Sequence, residues 1–422
     1  MSARVTGAMA GEGLLFAPFF GLRYPDPAKL AARLAPPYDV IAPAQRRELV
    51  KQDAYNIIAV DLPIAAPGED PYAYAGNMLA SWQRRSVLVR DQEPCAYVLR
   101  TTMRLEDGRE VRRTGAHLAL AAMPFTENGR VRPHEHTHAE PKEDRRKLAL
   151  ATGCNTSPIF VLAPDNRGDF AKTLEQVTAE PPWATVEALG GVHEIWIAKA
   201  PFSLRLATFA SDSPVYIADG HHRYETAAYL REDRELPAKW FVGAQRTLAH
   251  VVSFKDPGLT ILPTHRIVEG KPLDRAEVLK AANPYFARAL PEQTPALTVV
   301  FSDGTDAPMV LRPEADLSAA SDLSAHPAVR SLGVAVADAV FIGVVLQSLA
   351  KAKPAVRYTP VAREAREAAT SGSAGLAVLV PAPTLDEIRA VSDAGQYMPP
   401  KSTYFAPKVP SGVVMRLFEG EM

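Results

Sequence analysis

The pattern of apolar and polar positions marks two β-like runs, Cys95 to Arg104 and Arg109 to Ala119. The Asp107-Gly108 pair between these runs is a hairpin turn signal, so the pattern predicts two antiparallel strands. A helix is expected around Ala73 to Ser86, and from Pro141 to Ala151 the pattern turns helical, with Leu148 and Leu150 beside Asp144, Arg145, Arg146 and Lys147. An apolar strand, Ser157 to Leu162, follows. The run Val215-Tyr216-Ile217-Ala218 reads as a buried strand, closed by Asp219-Gly220 and succeeded by an amphipathic helix from about Arg223 to Arg231. Further on, Thr298 to Phe301 reads as a strand, and Arg275 to Ala282 and Arg363 to Ala369 as Ala-rich helices.

The longest apolar stretch, Gly333 to Ala350, approaches membrane-spanning length but carries Asp338 and Gln347, which favours a buried helix and no membrane role. The mixture predicts an α+β fold, mixed sheets with flanking helices, rather than an uninterrupted βαβ series. The expected organisation is a disordered tail over 1–14, an α+β domain over 15–250, and a second α+β region over 251–422 whose C-terminal Met398 to Lys408 segment returns to the site.

Composition narrows the function. Lys and Arg number 47 against 48 Asp and Glu, so no global field favours nucleic acid or anionic membrane. Two cysteines, Cys95 and Cys154, are too few for a disulfide framework or a four-cysteine zinc site. With no apolar run in the first dozen residues, a reducing, cytoplasmic location is expected. The oligomeric state is left open.

Chemistry concentrates at Asp219-Gly220-His221-His222-Arg223. A strand ending in Asp-Gly and running into a helix places backbone amides and the positive end of the helix dipole at one point, where anions bind. Gly220 permits close approach, Arg223 offers a guanidinium fork for phosphate oxygens, and His221 and His222 can donate hydrogen bonds or move protons. The plainer alternative is that Asp219 caps the helix, Gly220 completes the turn and neighbours satisfy the histidines. Metal binding by His221 and His222 would need a third ligand from elsewhere, and the metal ligands stay unassigned.

His134-Glu135-His136-Thr137-His138 formally fits the H-E-x-x-H rule of zinc proteases, but Pro133 and Pro141 leave too little room for the helix that chemistry requires. A loop presenting His134 and Glu135 to a site as base or magnesium ligand, with Thr137 hydrogen-bonding to substrate, is the functional alternative to a solvated loop. Lys142 and Arg145 are candidate phosphate ligands or simply a solvated helix face. In Met398 to Lys408, the residues Lys401, Ser402 and Thr403 could close over an anion, or the segment could be a Pro-stiffened strand packing Tyr404 and Phe405 inward. Asp39, in Pro36-Pro37-Tyr38-Asp39, is a candidate substrate-binding carboxylate.

Taken together, PPYDVI, YNIIAVDLP, PHEHT, PKEDRRKL, NTSPIF, ADGHHRYETA and MPPKSTYFAPK make the chain resemble, from about Leu15 to Arg416, a bacterial and archaeal family of unknown function, DUF1015. The DGHHR turn is locally similar to the DGHxR signature of the ParB/sulfiredoxin-like fold, whose free serine kinases hold nucleotide phosphates there. That resemblance implies a ParB/sulfiredoxin-like element around the turn, with Asp219 near the transferred phosphoryl group. The chain departs from the family pattern at Asp338, where histidine is common, and at Pro360-Val361, where a His-Asp pair is common.

The resulting expectation is a kinase-like phosphotransferase acting on a small hydroxylated metabolite such as serine, using Mg and a nucleotide, ATP or ADP. Its partner would be a small phosphorylated ligand. Glu135 or Asp219 would take the hydroxyl proton. The alternatives are a phosphatase using the same anion pocket, for instance on phosphoserine, and a non-catalytic nucleotide-sensing regulator.

Overall fold

The computed structural model describes residues 13–126, 129–350, 352 and 354–420. The tail expected over 1–14 therefore lies, through residue 12, outside the described residues. The protein is α+β and divides into two compact units. One comprises the chain up to Arg132, Thr137–Leu259 and the chain from Pro407; the other comprises Pro133–His136 and Thr260–Ala406.

The first unit is organised by a mixed sheet. Its strands run in the order Val131–Arg132, Val215–Asp219, Ile159–Ala163, Arg246–Ser253, Glu110–Ala121, Ala96–Arg104, Gly191–Ala198, Ala184–Ala188, and Phe16–Ala17 pairs beside Glu110–Ala121. The Asp107-Gly108 turn closes a hairpin in which Arg104 faces Glu110 and Tyr97 faces His117. Two pairings are parallel, Val215–Asp219 with Val131–Arg132 and Arg246–Ser253 with Ile159–Ala163.

Side chains alternate between the two faces of this sheet. Val98, Leu118, Ile159, Val161, Ile217 and Val251 point to one face and bury against Phe170, Leu174 and Leu206 of the helices Asp169–Thr178 and Phe202–Ala210. The opposite face carries Tyr97, Arg113, His117, Phe160 and His250, all buried, so half of a central sheet face is polar. A smaller sheet joins Val89–Arg90, Gly21–Arg23, Met415–Leu417 and Cys154–Asn155, and so ties the chain end from Pro407 into this unit. Buried Arg416 reinforces it by donating to the Arg246 and Gly243 carbonyls at 2.7 Å each.

The second unit has a six-stranded antiparallel sheet in the order Phe286–Arg288, Asp306–Leu311, Leu297–Val300, Leu376–Leu379, His265–Val268, Val356–Thr359. The helix Ala362–Thr370 packs Ala365, Ala368 and Ala369 against Ile267, Val300 and Ala377. Gly333–Ala350 is long and apolar enough to cross a bilayer, yet Val336, Val340, Phe341, Val345 and Leu346 are buried in the unit and Asp338 is ion-paired to Arg266. It is a core helix here. Its central part, Val336–Leu346, is wound as a π-helix, which sequence pattern does not reveal.

Candidate functional site

The strand Val215–Asp219 is buried because its sequence is apolar up to Ala218, and it ends in an irregularity. Tyr216 pairs with Leu162 and Ile217 with Val161, but the next pairing is Asp219 with Phe160, so one extra residue is inserted. Without that bulge Asp219 would share the apolar face of Ile217; the insertion turns its carboxylate to the face of Phe160. Gly220 then takes a left-handed conformation, φ +88°, and starts the helix His221–Leu230, whose first internal bond runs from the Tyr224 N–H to the Gly220 carbonyl at 3.0 Å. Gly220 is the helix cap, and Asp219 makes no capping bond. The capping alternative for Asp219 is thereby corrected: its carboxylate is drawn away by cations.

Lys408 Nζ lies 3.3 Å and Arg223 Nη2 3.9 Å from Asp219 Oδ2. Burial raises the carboxyl, but Lys408 and Arg223 together outweigh it and hold Asp219 at about 2. Arg223 folds back over Gly220, where a Cβ would meet its guanidinium at 2.9 to 3.1 Å. It donates to the Pro158 carbonyl and lies 5.9 Å from the Tyr38 ring. Burial brings His221 down to about 3, so this ring is neutral at neutral pH. His222 accepts the His138 N–H at Nε2, 2.9 Å, which leaves its ring proton on Nδ1.

Arg113 is the residue that the motif reading missed. It is 2% exposed, stands in the Glu110–Ala121 strand and lies 4.5 Å from the Phe160 ring, on the face to which the bulge turns Asp219. Both of its Nη atoms are buried without a hydrogen-bond partner. Burial pulls it down to about 10, against the attraction of Asp256 and Asp219. Asp256 is itself committed to the Thr114 and Gly258 amides, at 3.0 and 2.8 Å. Beside Arg113, His117 and His250 stack at 4.6 Å. Burial lowers His117 to about 4 and His250 well below its ordinary value. Strand alternation could have flagged the group, since Arg113 and His117 share a face of a central strand.

A second layer braces the turn. Tyr38 has Arg145 stacked on its ring at 3.8 Å, and Arg145 donates to the Asp61 carbonyl at 2.8 Å and to Asp144 at 2.7 Å. Asp61, wholly buried, accepts from Thr156 at 2.6 Å and from Ser157 at 3.4 Å. Arg145 is thus a buried brace, hydrogen-bonded through Nε and Nη1 and ion-paired to Asp144 through Nη2, not a solvated helix residue. Lys142 pairs with Glu225 at 3.3 Å, and Thr137 donates to the same carboxylate. Asp39 is exposed on a short turn. The segments PPYDVI, YNIIAVDLP, PKEDRRKL, NTSPIF, ADGHHR and the final lysine of YFAPK therefore meet through Tyr38, Asp61, Arg145, Pro158, Arg223 and Lys408.

A family model described as a protein of unknown function (DUF1015) matches residues 16–335. This chain is a DUF1015 protein. No curated protein matches it. Among solved structures, the DUF1015 chain is similar to a free serine kinase in complex with AMP, at 16% identity and TM-score 0.36, covering 70% of this chain and 92% of that one. It is also similar to a conserved hypothetical protein from Pyrococcus furiosus, at 15% identity and TM-score 0.35, over 70% and 95%. A third similar structure is SbnI with C-terminal truncation from Staphylococcus aureus, at 12% identity and TM-score 0.37, over 71% and 90%.

The remaining candidates of the DUF1015 chain belong to the second unit. The 134–138 segment has no helix, and Glu135 bridges to Met398 in extended backbone, so the zinc-protease geometry is absent. His134 Nε2 lies 3.0 Å from Thr403 Oγ1, Glu135 accepts the Lys401 N–H at 3.3 Å, and Ser402 donates to the Pro399 carbonyl at 2.6 Å. Tyr404–Ala406 pairs with Thr260–Leu262, and Phe405 is buried.

Proposed function

We propose that this protein binds the phosphate groups of a nucleotide or small phosphorylated metabolite at the turn 219–223 and transfers a phosphoryl group, kinase-like, to a small hydroxylated metabolite, with serine the first candidate. The observation that carries the reading is Arg113, a buried guanidinium with both Nη atoms unpartnered on the sheet face to which Asp219 turns. A guanidinium stays charged, and a charge buried without a partner costs several kcal/mol, so an anion is the complement this face calls for. Lys408, Arg223 and Arg113 outnumber Asp219 and Asp256, and the helix dipole adds to their field. Positive charge of this density suits phosphoryl transfer, which asks mainly for positioning and charge neutralisation.

In the transfer, a substrate hydroxyl oxygen forms the new bond to phosphorus while the bridging oxygen of the donor leaves. Asp219, held ionised by Lys408 and Arg223, is the acceptor for the hydroxyl proton in this reading. Magnesium would arrive with the nucleotide and neutralise phosphate charge. The protein offers no ready cage for it, because among the described residues no three His, Cys, Asp or Glu side chains converge.

Calorimetric titration of the full chain with ATP, ADP, CTP, serine and phosphoserine, with magnesium present, tests the proposal alongside Arg223→Ala. Nucleotide binding that the variant loses, followed by phosphoserine formation from serine seen by phosphorus NMR, is the expected result. Phosphoserine binding and phosphate release without nucleotide would replace it with a phosphatase. Tight nucleotide binding without turnover would replace it with a nucleotide sensor.

A further inference from the structure

Arg223 Nη1 donates to the Pro158 carbonyl, which turns the opposite edge of the guanidinium, Nε and Nη2, away from that contact. The edge is laid over Gly220, where a Cβ would meet Nε at 3.0 Å, Cζ at 3.1 Å and Nη2 at 2.9 Å. It therefore lies beside the residue that opens the helix His221–Leu230, at the end of the helix that attracts anions. Two donors on one guanidinium edge are what an arginine uses to take two oxygens of one phosphate. Asp219 is 3.9 Å from Nη2, beyond hydrogen-bond distance, so this ion pair does not set the plane of the group.

Tyr38 is placed to set it. Its ring centre lies 5.9 Å from Arg223 Cζ, within the range of cation–π attraction. The Arg223 side chain is only 9% exposed, which strengthens that attraction over its value at an open surface. The ring is itself held. Arg145 stacks on it at 3.8 Å, and Arg145 is fixed in turn by bonds from Nε to Asp144 at 2.7 Å and from Nη1 to the Asp61 carbonyl at 2.8 Å. Pro36 and Pro37 stiffen the chain that leads into the short turn Tyr38–Val40. Burial raises the Tyr38 phenol above its ordinary value, so at neutral pH the ring is an uncharged face beside two guanidinium groups.

We infer that Tyr38 is the positioning residue of the phosphate turn. Its ring holds the Arg223 guanidinium so that the Nε–Nη2 edge meets a phosphate at the start of the helix, and it acts through Arg223 rather than by touching the ligand. An arginine whose plane is fixed beforehand has already lost the rotamer freedom that binding would otherwise take from it. This role rests on the phosphate-binding reading of the turn.

Two measurements on the full chain test it. In the ligand-free protein, the Nε–H signal of Arg223, identified by its absence from Arg223→Ala, reports the motion of the guanidinium by nitrogen NMR relaxation. Calorimetric titration with ADP and with phosphoserine, magnesium present, reports affinity, and thermal melts establish that each variant is folded. Tyr38→Phe keeps the ring and should leave the signal ordered and affinity within about twofold. Tyr38→Leu, or Tyr38→Met should the leucine variant not fold, should mobilise the signal and weaken binding by about tenfold. An affinity loss in Tyr38→Phe equal to that in Tyr38→Leu would make the hydroxyl a direct ligand contact and overturn the positioning role. So would unchanged affinity in folded Tyr38→Leu, or weakened affinity with the Arg223 signal still ordered. If the unsubstituted protein binds neither probe, the phosphate-binding reading itself falls and takes this role with it, whatever the Arg223 signal does.

Discussion

Lys408 Nζ lies 3.3 Å from Asp219 Oδ2, across 189 residues of sequence. The pair joins the end of the buried strand to the chain segment that returns to the first unit from Pro407. It decides the ionisation of the carboxylate, since burial alone would raise the pKa that Lys408 and Arg223 bring down to about 2.

Removing Lys408 should therefore move Asp219 toward the ordinary carboxylate range. The folded pKa lies below the unfolded value near 3.8, so the stabilisation is complete above that value and is lost as pH falls through about 2. Lys408→Met should cost about 2 kcal/mol at neutral pH, and the gap to the unsubstituted protein should narrow as pH falls through the range between the unfolded and folded values of Asp219. Urea denaturation at a series of pH values reads both effects; equal curves for the two proteins would remove Lys408 from the account.

Gly220 carries two demands that substitution can separate. Gly220→Ala meets both the left-handed φ of +88° and the Arg223 guanidinium at 2.9 to 3.1 Å, and should lose about 1 to 3 kcal/mol. Asn tolerates the left-handed region better but still brings a Cβ against Arg223. Gly220→Asn should therefore recover only part of the stability and none of the phosphate-ligand affinity. Full recovery of both would show that the close approach of Arg223 is immaterial.

Of the four buried histidines of the first unit, three carry large burial shifts that contribute to its acid stability, and His193 is lowered as well. Burial lowers His117 to about 4, His221 to about 3 and His250 well below 6.5. As pH falls below 6.5 the unfolded chain takes up protons that the native rings refuse, so stability is full above 6.5 and falls as pH approaches 4. The slope should reach about 1.4 kcal/mol per pH unit for each ring, or about 4 for the three. Urea midpoints between pH 7.5 and about 4.5 measure it; a flat profile would mean that the rings are accessible to protons in the native state.

Much of the fold was legible because it is local. The Asp107-Gly108 hairpin follows from turn chemistry, the strand before Asp219 from its continuous apolar run closed by Asp-Gly, and the helix Ala139–Thr152 from its pattern. The expected start of the later helix at Arg223 fell two residues late, because Gly220 itself serves as cap and both histidines lie in the first turn. The partners of the turn were less legible. Tyr38, Asp61 and Lys408 meet it only through tertiary packing, and the bulge that reorients Asp219 depends on register with Phe160. Arg145 looked like a surface charge because its partner Asp61 sits 84 positions away.

That brace also has a measurable role. Asp61→Ala would remove the buried carboxylate partner of Arg145 and leave only the partly exposed Asp144, and should cost about 3 kcal/mol. Thr156→Val, which removes one 2.6 Å bond to Asp61, should cost about 1 to 2 kcal/mol and leave the affinity for phosphate ligands within about twofold once the protein is folded. Denaturation and calorimetry on the same samples distinguish bracing from direct contact; a large affinity loss in folded Thr156→Val would place the ligand against Asp61.

The measurement that bears most directly on the phosphate-binding reading is Arg113→Met, assayed for stability and for binding of ATP, ADP and phosphoserine. If Arg113 is an anion receptor, replacing the unpartnered buried guanidinium by an apolar chain of similar length should leave ligand-free stability unchanged or raised, and should weaken phosphate-ligand binding by about a hundredfold. A variant that binds phosphate ligands as tightly as the unsubstituted protein would contradict the account.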